Sequence, residues 1–480
     1  MLPPPAAAFI EEMFMHNAPT AGPVIADLRS EIGGSVIGPD DAGYDEARTV
    51  LYDLSARPAV IVRAASSADV IRTIALARET GLELAVRSGG HSGAGHGTSD
   101  GGIVLDLSRM KGIAIDVAGR TVWAEAGLTA GELSAAVDEH GLAIGFGDTA
   151  TVGIGGITLG GGVGYLVRKF GLTIDNLVAA DVVTASGELV RTDAEHEPDL
   201  FWAIRGGGGN FGVATRFQYR LHELPSVVGG LLVLPATTDT IAGFIAAADA
   251  APDELSTIAN VMPCPPMPFV PEEHHGKLVI LGMLAFAGDA AAGEAALAPF
   301  RALATPIADL MKPMSYPELF PPDDPDYHPI AVGRTLFIDH VDQDVAGLIL
   351  DRLEEHFQTT NAEMVVAQLR VVGGAAGRVP VEATAFAHRQ RPIMVNVAAL
   401  VPTREDIAAH VPWIDDFTAA LSKGDRGAYV NFVNDEGPER VRDAYPGATW
   451  DRLVEIKDRY DPSNLFHRNQ NIVPTGGSGT

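Results

Sequence analysis

A single cysteine, Cys264, stands in the whole chain, in the proline-rich context MPCPPMP. An intrachain disulfide, a thiolate zinc cluster and a Cys-x-x-Cys redox pair are therefore excluded, and no metal site is expected. A reducing, cytoplasmic location is the default for so few thiols. Basic residues are scarce as well: 34 Lys and Arg stand against 62 Asp and Glu, a formal net charge of −28 at pH 7. Such a chain is repelled by a phosphate backbone, so nucleic acid is not an expected partner. No segment reaches the run of about 18 apolar residues that a membrane helix needs. The start, MLPPPAAAFIEEMFMHN, lacks the basic region and long apolar run of a signal peptide. At 480 residues the chain exceeds one ordinary core, which predicts two domains or one domain with a large insertion.

Glycine, by contrast, is plentiful and clustered in three stretches. The first, residues 84–108, reads LAVRSGGHSGAGHGTSDGGIVLDLS. A short apolar strand (84–86) opens it and an alternating one (103–107) closes it, with glycines at 89, 90, 93, 95, 97, 101 and 102 between them. That density does not suit a helix or a strand interior. Without Cβ atoms the backbone can take positive φ and bring its N–H groups up to a ligand, which is how an anion-binding nest is built. Arg87 leads into the loop, and His91 sits in its middle between Gly90 and Ser92. The second stretch, 145–164, reads GFGDTATVGIGGITLGGGVG. The third, 204–224, reads IRGGGGNFGVATRFQYRLHEL and formally contains G-x-G-x-x-G at 207–212. The dinucleotide fingerprint needs a helix after its glycines, but Val213, Thr215, Phe217 and Tyr219 alternate as a strand. A nicotinamide-binding reading fails on that context.

Between the clusters the pattern mixes strands and helices, as α+β or α/β proteins do. Residues 1–33 read as an arm or helix without chemistry. A loop-rich lead-in ends in a strand at 59–62; Ser67 caps a helix over 69–79 that Gly81 ends. Residues 120–127 alternate as a strand, and Thr129 with Glu132 forms a capping box for a helix stopping at Gly141. Strands follow at 180–184 and 188–192. After Pro225 glycine clusters give way to helical runs and strands such as 277–285 and 364–372. Residues 1–224 therefore form a first part, 225–425 an inserted domain and 426–474 a return to the first part, with 475–480 a flexible tail. The return carries YVNFVNDEG, a helix at 450–460, and YDPSNLFHRNQNI. Its two spaced asparagines, Asn469 and Asn471, are either ordinary turn residues or the contacts of a polar ligand.

With these pieces in order, the chain resembles the berberine bridge enzyme-like family of the vanillyl-alcohol oxidase (PCMH-type) FAD-binding superfamily. The matching segments are RSGGHSGAGHGTSDGGIVLDLSRMKGI, TVGIGGITLGGGVGYLVRKFGLTIDNLVAADVVTASGELV, DLFWAIRGGGGNFGVATRF, TAFAHR (384–389) and YDPSNLFHRNQNI. They cover about residues 40–473 in family order. The resemblance implies an α+β fold: a PCMH-type FAD-binding domain of two α/β subdomains, and a substrate domain of antiparallel sheet flanked by helices. It implies FAD as cofactor, bonded through its 8α carbon to the histidine of the R-x-G-G-H loop, here His91. Many members add a cysteinyl bond just before T-V-G-x-G-G; that position is Thr149, so one link is expected. The residues it assigns to the flavin are Arg87, Ser88, Gly89, Gly90, His91, Ser92, His96, Thr151, Val152, Gly153, Gly155, Gly156, Ile157, Gly161, Gly162, Gly164, Gly212, Val213, Asn469 and Asn471.

The chemistry that follows is oxidation of a substrate C–H by hydride transfer to flavin N5, with a protein group accepting a hydroxyl proton. Candidates lie in two places. Gln368 and Arg370 share one face of a strand, on an element that lines the family's substrate cavity. Tyr429 and Asn431 form a second same-face pair, resembling the family's Y-x-N-[YF]. Tyr429 is either a core aromatic or a proton acceptor whose pKa Arg370 lowers; Asn396 is either a cavity residue or a satisfied core amide. Val152 matches the family's oxygen gatekeeper, where valine resembles oxygen-reactive members. The expectation is an oxidase of a sugar, secondary alcohol or polyketide-like hydroxyl, with oxygen as acceptor. A hydroxynicotine-oxidase-like amine oxidase, a dehydrogenase with another acceptor, and a flavin protein without turnover remain open. A monomer or homodimer is expected.

Overall fold

The structure is a computed structural model and describes residues 25, 28–52, 55–324 and 326–476. The expected arm over 1–33 lies mostly outside the described residues, as do the last four residues of the tail. The first part of the chain builds two sheets. One has the strand order Ser35–Ile37, Val60–Arg63, Ile103–Asp106, Leu84–Arg87, with the last three strands mutually parallel. Parallel neighbours need a crossover. The helix Ser67–Thr80 serves one, whereas the link from Leu84–Arg87 to Ile103–Asp106 is the first glycine stretch itself, without a helix. A long glycine loop is thereby left at the carboxyl end of the strand Leu84–Arg87. The helix begins two residues earlier than its pattern suggests and its cap one residue earlier: Ser66, not Ser67, caps it by accepting from the Asp69 amide, and Gly81 closes it at φ 68°.

The second sheet is antiparallel, in the order Ile113–Asp116, Thr121–Glu125, Val213–Arg220, Leu177–Val183, Leu189–Asp193. The capping box of Thr129 and Glu132 opens the helix Ala130–Asp138 as expected. The strand Val213–Arg220 runs straight out of the third glycine cluster, which is the context that excluded a dinucleotide fingerprint.

Residues 227–400 form an eight-stranded antiparallel sheet. Its inner strands are Val227–Pro235, Leu278–Phe286, Leu255–Pro263, Met364–Val371 and Ile393–Leu400, and Ala331–Ile338 is one edge. Strand alternation splits its faces. Val365, Ala367 and Leu369 pack with Ile349, Leu353 and Phe417 of the covering helices. Gln368 and Arg370 therefore occupy the opposite face, where Met283 packs against the core of the first part. That core draws on both ends of the chain, from Leu28 to Ile472, while a separate one holds residues between Val228 and Leu421. Among the described residues no helix is long and apolar enough to cross a membrane.

Candidate active site

The first two glycine stretches cross each other in contact. A Cβ on Gly89 would lie 2.2 Å from the Gly153 nitrogen, and one on Gly153 would lie 2.1 Å from the Gly89 nitrogen. Ser88 locks the crossing: its hydroxyl donates to the Ala126 carbonyl at 2.6 Å and accepts from the Gly155 amide at 3.3 Å. The second stretch is not loop throughout, because Ile154–Gly160 is a short helix. Its glycines let neighbours press close; Gly155 faces Ser88 and Gly160 faces Asn431, whereas a Cβ on Gly156 would meet open space. Thr151 and Val152 lead into this helix, and the Val152 carbonyl is held by the Ala130 amide.

Arg87 turns away from the loop. Its guanidinium is buried, bonded to Asp106 at 2.9 Å and to the Ala47 carbonyl at 2.6 Å. It anchors the strand end rather than facing a ligand. Gly90 adopts φ 73°, and its carbonyl accepts from Leu51. His91 is half-buried. Burial holds its ring below the usual histidine range, opposed by Asp323, the Thr151 carbonyl and Asp148. His96, four residues after Ser92 whose hydroxyl it meets, is pushed down to about 4 by burial and by Arg468. The Thr149 hydroxyl donates to its neighbour Asp148 at 3.4 Å, and Cys264 is buried elsewhere beside Val233 and Val279.

Beyond the short helix the chain turns through Gly161 and Gly162, at φ 141° and 83°. This turn meets Tyr429, which is fully buried. The strand expected through Tyr429 and Asn431 is instead one 3₁₀ turn, Val430–Phe432. The two side chains still meet: Asn431 Nδ2 and the Gly162 amide each donate to the Tyr429 hydroxyl at 2.9 Å. Burial raises the Tyr429 pKa, while these donors, Arg370 and the Val163 amide pull it down. The Ile157 carbonyl holds the Asn431 amide from below, and Gly164 packs its α-carbon against the Phe146 carbonyl.

On the facing sheet Arg370 donates to Gln368 Oε1 at 2.9 Å and to Asp148 at 2.6 Å. Gln368 passes its own N–H to Asn260 at 2.8 Å. Asn260, Gln368, Asn396 and Thr335 lie in cross-strand register on four adjacent strands. The half-buried Asn396 amide bonds to no described residue, and the Thr335 hydroxyl is buried without a partner. Asp148 and Asn260 went unnoticed in the sequence. Asn260 had a signal, as a lone amide in the strand LSTIANVMP; Asp148, in a glycine-rich run, had none.

The third glycine cluster receives the C-terminal strap. Asn210 bonds the Gln470 carbonyl and the Ile472 amide, and buried Lys457 bonds Asp461 and the carbonyls of Asn210 and Phe466. Gly212 at the cluster's end lies where a Cβ would strike Val182, 2.6 Å away, and Val213 starts the strand. Arg468 ties the strap to the Thr98 and Gly95 carbonyls of the first loop. Along this contact Thr98 Oγ1, Asn469 Oδ1 and Asn471 Oδ1 are buried with no partner among the described residues. Three orphaned polar atoms beside two glycine stretches fit a large polar cofactor that completes their hydrogen bonds.

The glycine crossing and the orphaned strap atoms fit a large polar cofactor, and similarity to known proteins makes the chain an FAD-binding oxidoreductase. A family model described as "FAD binding domain" matches residues 58–193, and one described as "Berberine and berberine like" matches 428–473. (R)-6-hydroxynicotine oxidase of Paenarthrobacter nicotinovorans is 30% identical over 464 residues, 93% of this chain and 98% of that protein. Berberine bridge enzyme-like 12 of Arabidopsis thaliana is 30% identical over 460 residues, 87% of this chain and 85% of that protein. The chain belongs to the berberine bridge enzyme-like family of FAD-linked oxidoreductases. A crystal structure of 6-hydroxy-D-nicotine oxidase from Arthrobacter nicotinovorans superposes with a TM-score of 0.80 at 28% identity, covering 92% of this chain and 98% of that one.

Proposed function

We propose that the protein is an oxidase that removes hydride from the carbinol carbon of a small neutral substrate, with Tyr429 accepting the hydroxyl proton and His91 carrying the flavin. The observation that carries this reading is the Tyr429 hydroxyl, which receives two hydrogen bonds while no described group accepts its own proton. These donors favour the phenolate and work against the burial that raises the Tyr429 pKa. When bound, FAD supplies a two-electron acceptor for the hydride and returns the pair to molecular oxygen.

The chain's own groups divide the remaining work. Asn396 presents a neutral amide on the sheet face, suited to hydroxyl or carbonyl partners, beside Gln368, whose amide is held by Asn260 and Arg370. Asp148, the carboxylate bonded to this face, is paired with Arg370, which disfavours it as the holder of an ammonium. His91 is kept neutral by burial, as an imidazole that bonds the flavin's 8α carbon must be. With Thr149 at the second attachment position, one covalent link follows. Asn469, Asn471 and Thr98 would hold the cofactor's polar groups, and the amides about Gly89 and Gly153 its pyrophosphate and ring carbonyls. Val152, resembling oxygen-reactive members, supports oxygen as acceptor.

A second reading, oxidation of a C–N bond, draws on the similarity to 6-hydroxynicotine oxidase. Acid precipitation of the purified protein tests the cofactor claim. Yellow colour should stay in the pellet, and His91→Ala should release it to the supernatant; release from the unaltered protein would remove the covalent link. Peroxide release from a panel of neutral alcohols against amines then separates the two substrates.

A further inference from the structure

We propose that Asp148 is a positioning residue for proton transfer, acting on Tyr429 through Arg370. The proposal rests on the reading of Tyr429 as proton acceptor. Arg370 is 4% exposed, and a buried guanidinium is tolerated only when its charge and its N–H groups are matched. Asp148 is its one ion-pair partner among the described residues, at 2.6 Å. The rest of the fork is equally committed: Nε donates to Gln368, and Nη1 reaches the Val163 carbonyl at 3.4 Å. Its plane lies over Phe432, 5.4 Å from the ring centre.

These contacts make one connected path. Val163 follows Gly162, and the amides of both act on the Tyr429 hydroxyl. Gly162 cannot carry a side chain, since a Cβ would lie 1.9 Å from Thr173 Oγ1, so the turn is held in place and Arg370 braces its carbonyl side. The strand supplies Arg370 and the second glycine stretch supplies Asp148, so the pair also joins the substrate sheet to the flavin-binding part. Asp148 does two things: it fixes the guanidinium, and it offsets a positive charge that favours the phenolate.

The Arg370 charge lowers the Tyr429 pKa, and the rings of Phe386 and Phe432 pack against the phenol beside its donors Gly162 and Asn431. Asp148 itself also faces Tyr52, Tyr165, Tyr316 and His91. Burial raises these three phenols as it raises Tyr429, so the tyrosinate absorbance lost in Tyr429→Phe is what assigns the limb among them. His91 is the group that must be told apart.

The test is the pH profile of kcat/KM for the flavin-loaded enzyme, read beside the ultraviolet tyrosinate absorbance that Tyr429→Phe removes. Asp148→Asn keeps an oxygen for Arg370 but drops the charge, so the acid limb should move down by about one pH unit. Arg370→Gln should move it up. In the Arg370→Gln background, Asp148→Asn should move nothing further, and Asp148→Glu should return the limb towards that of the unaltered enzyme. A limb that stays put in Asp148→Asn while only melting temperature or flavin content falls would make Asp148 merely structural. A shift that persists without Arg370 would route the effect through His91 and overturn the proposal, as would Asp148→Glu behaving like Asp148→Asn. If Tyr429→Phe keeps both its rate and its acid limb, the Tyr429 reading itself fails, which is a separate outcome.

Discussion

At the scale of single residues the site separates groups that hold from groups that act. Ser88 and Arg87 spend their hydrogen bonds on the protein; Tyr429 and Asn396 keep capacity in hand. Tyr429→Phe removes one oxygen from a fully buried position, leaving the Gly162 amide without its acceptor and Asn431 with the Ile157 carbonyl alone. We expect kcat to fall by about 10²–10⁴-fold, the range of general acid–base catalysis, with flavin content unchanged, as single-turnover reduction of the loaded enzyme would report. A drop confined to KM would mean that Tyr429 binds substrate and moves no proton. Burial raises its pKa, so activity should be lost as pH falls through the folded value and be present above it. Asn396→Leu tests the neighbouring amide. It keeps volume and removes donors and acceptors that no described residue uses. KM should therefore rise about 10-fold or more for a hydroxylated substrate, with the melting temperature nearly constant. A stability loss with unchanged KM would make Asn396 a core amide.

At the scale of elements, glycine decides where chains can cross. Gly89→Ala puts a methyl about as far from the Gly153 nitrogen as a covalent angle allows, 2.2 Å, and both partners are backbone. We expect a loss of about 3 kcal/mol or more, seen as poor soluble yield or a lowered melting temperature. Gly156→Ala, one turn away, should do the reverse to the flavin-free protein. Its Cβ meets nothing, and alanine in a helix gains about 0.5–1 kcal/mol over glycine. If that open space belongs to the cofactor, the same change should weaken flavin uptake, which titration of the apoprotein measures. Equal uptake would place the flavin elsewhere. The capping box at Thr129, the strand after Gly212 and the antiparallel strand holding Gln368 were all legible, because each rests on local periodicity or a local hydrogen bond. The short helix Ile154–Gly160 was not: three of its seven residues are glycine, and what makes it helical is packing on Ser88 and Asn431 from elsewhere in the chain. The turn at Val430–Phe432 failed for the same reason. Two residues spaced for one strand face can also meet across a tight turn, and only the Gly162 contact tells which. Arg87 looked like a ligand residue because its partner Asp106 lies across a parallel register that no spacing reveals.

At the scale of the whole molecule, a strongly acidic chain buries histidines in their neutral form, and that sets its response to acid. Burial is the leading cause for His96, His222 and His356, each pushed from 6.5 to about 4. The unfolded chain takes up these protons near 6.5 and the folded one only near 4. The stability they contribute is therefore complete above 6.5 and is lost as pH falls from 6.5 towards 4, by at most about 1.4 kcal/mol per pH unit for each group. Self-repulsion from the net charge of −28 works the other way, since proton uptake by histidine relieves it. Salt separates the two, because it screens distant surface charge and leaves a buried imidazole untouched. The clearest handle is the pair His356 and His410, whose rings share one hydrogen bond of 2.8 Å, with His356 stacked on Trp413. One ring must accept there, so both cannot be protonated while the bond lasts. We expect the melting temperature to fall between about pH 7 and pH 5 in high salt, and to fall less when His356→Phe and His410→Leu are combined. The paired change should itself cost little at neutral pH, because both partners of the bond leave together. An identical acid response in the double variant would move the origin of the acid sensitivity to His96 and His222, on the first loop and beside Phe170 in the flavin-binding part of the fold.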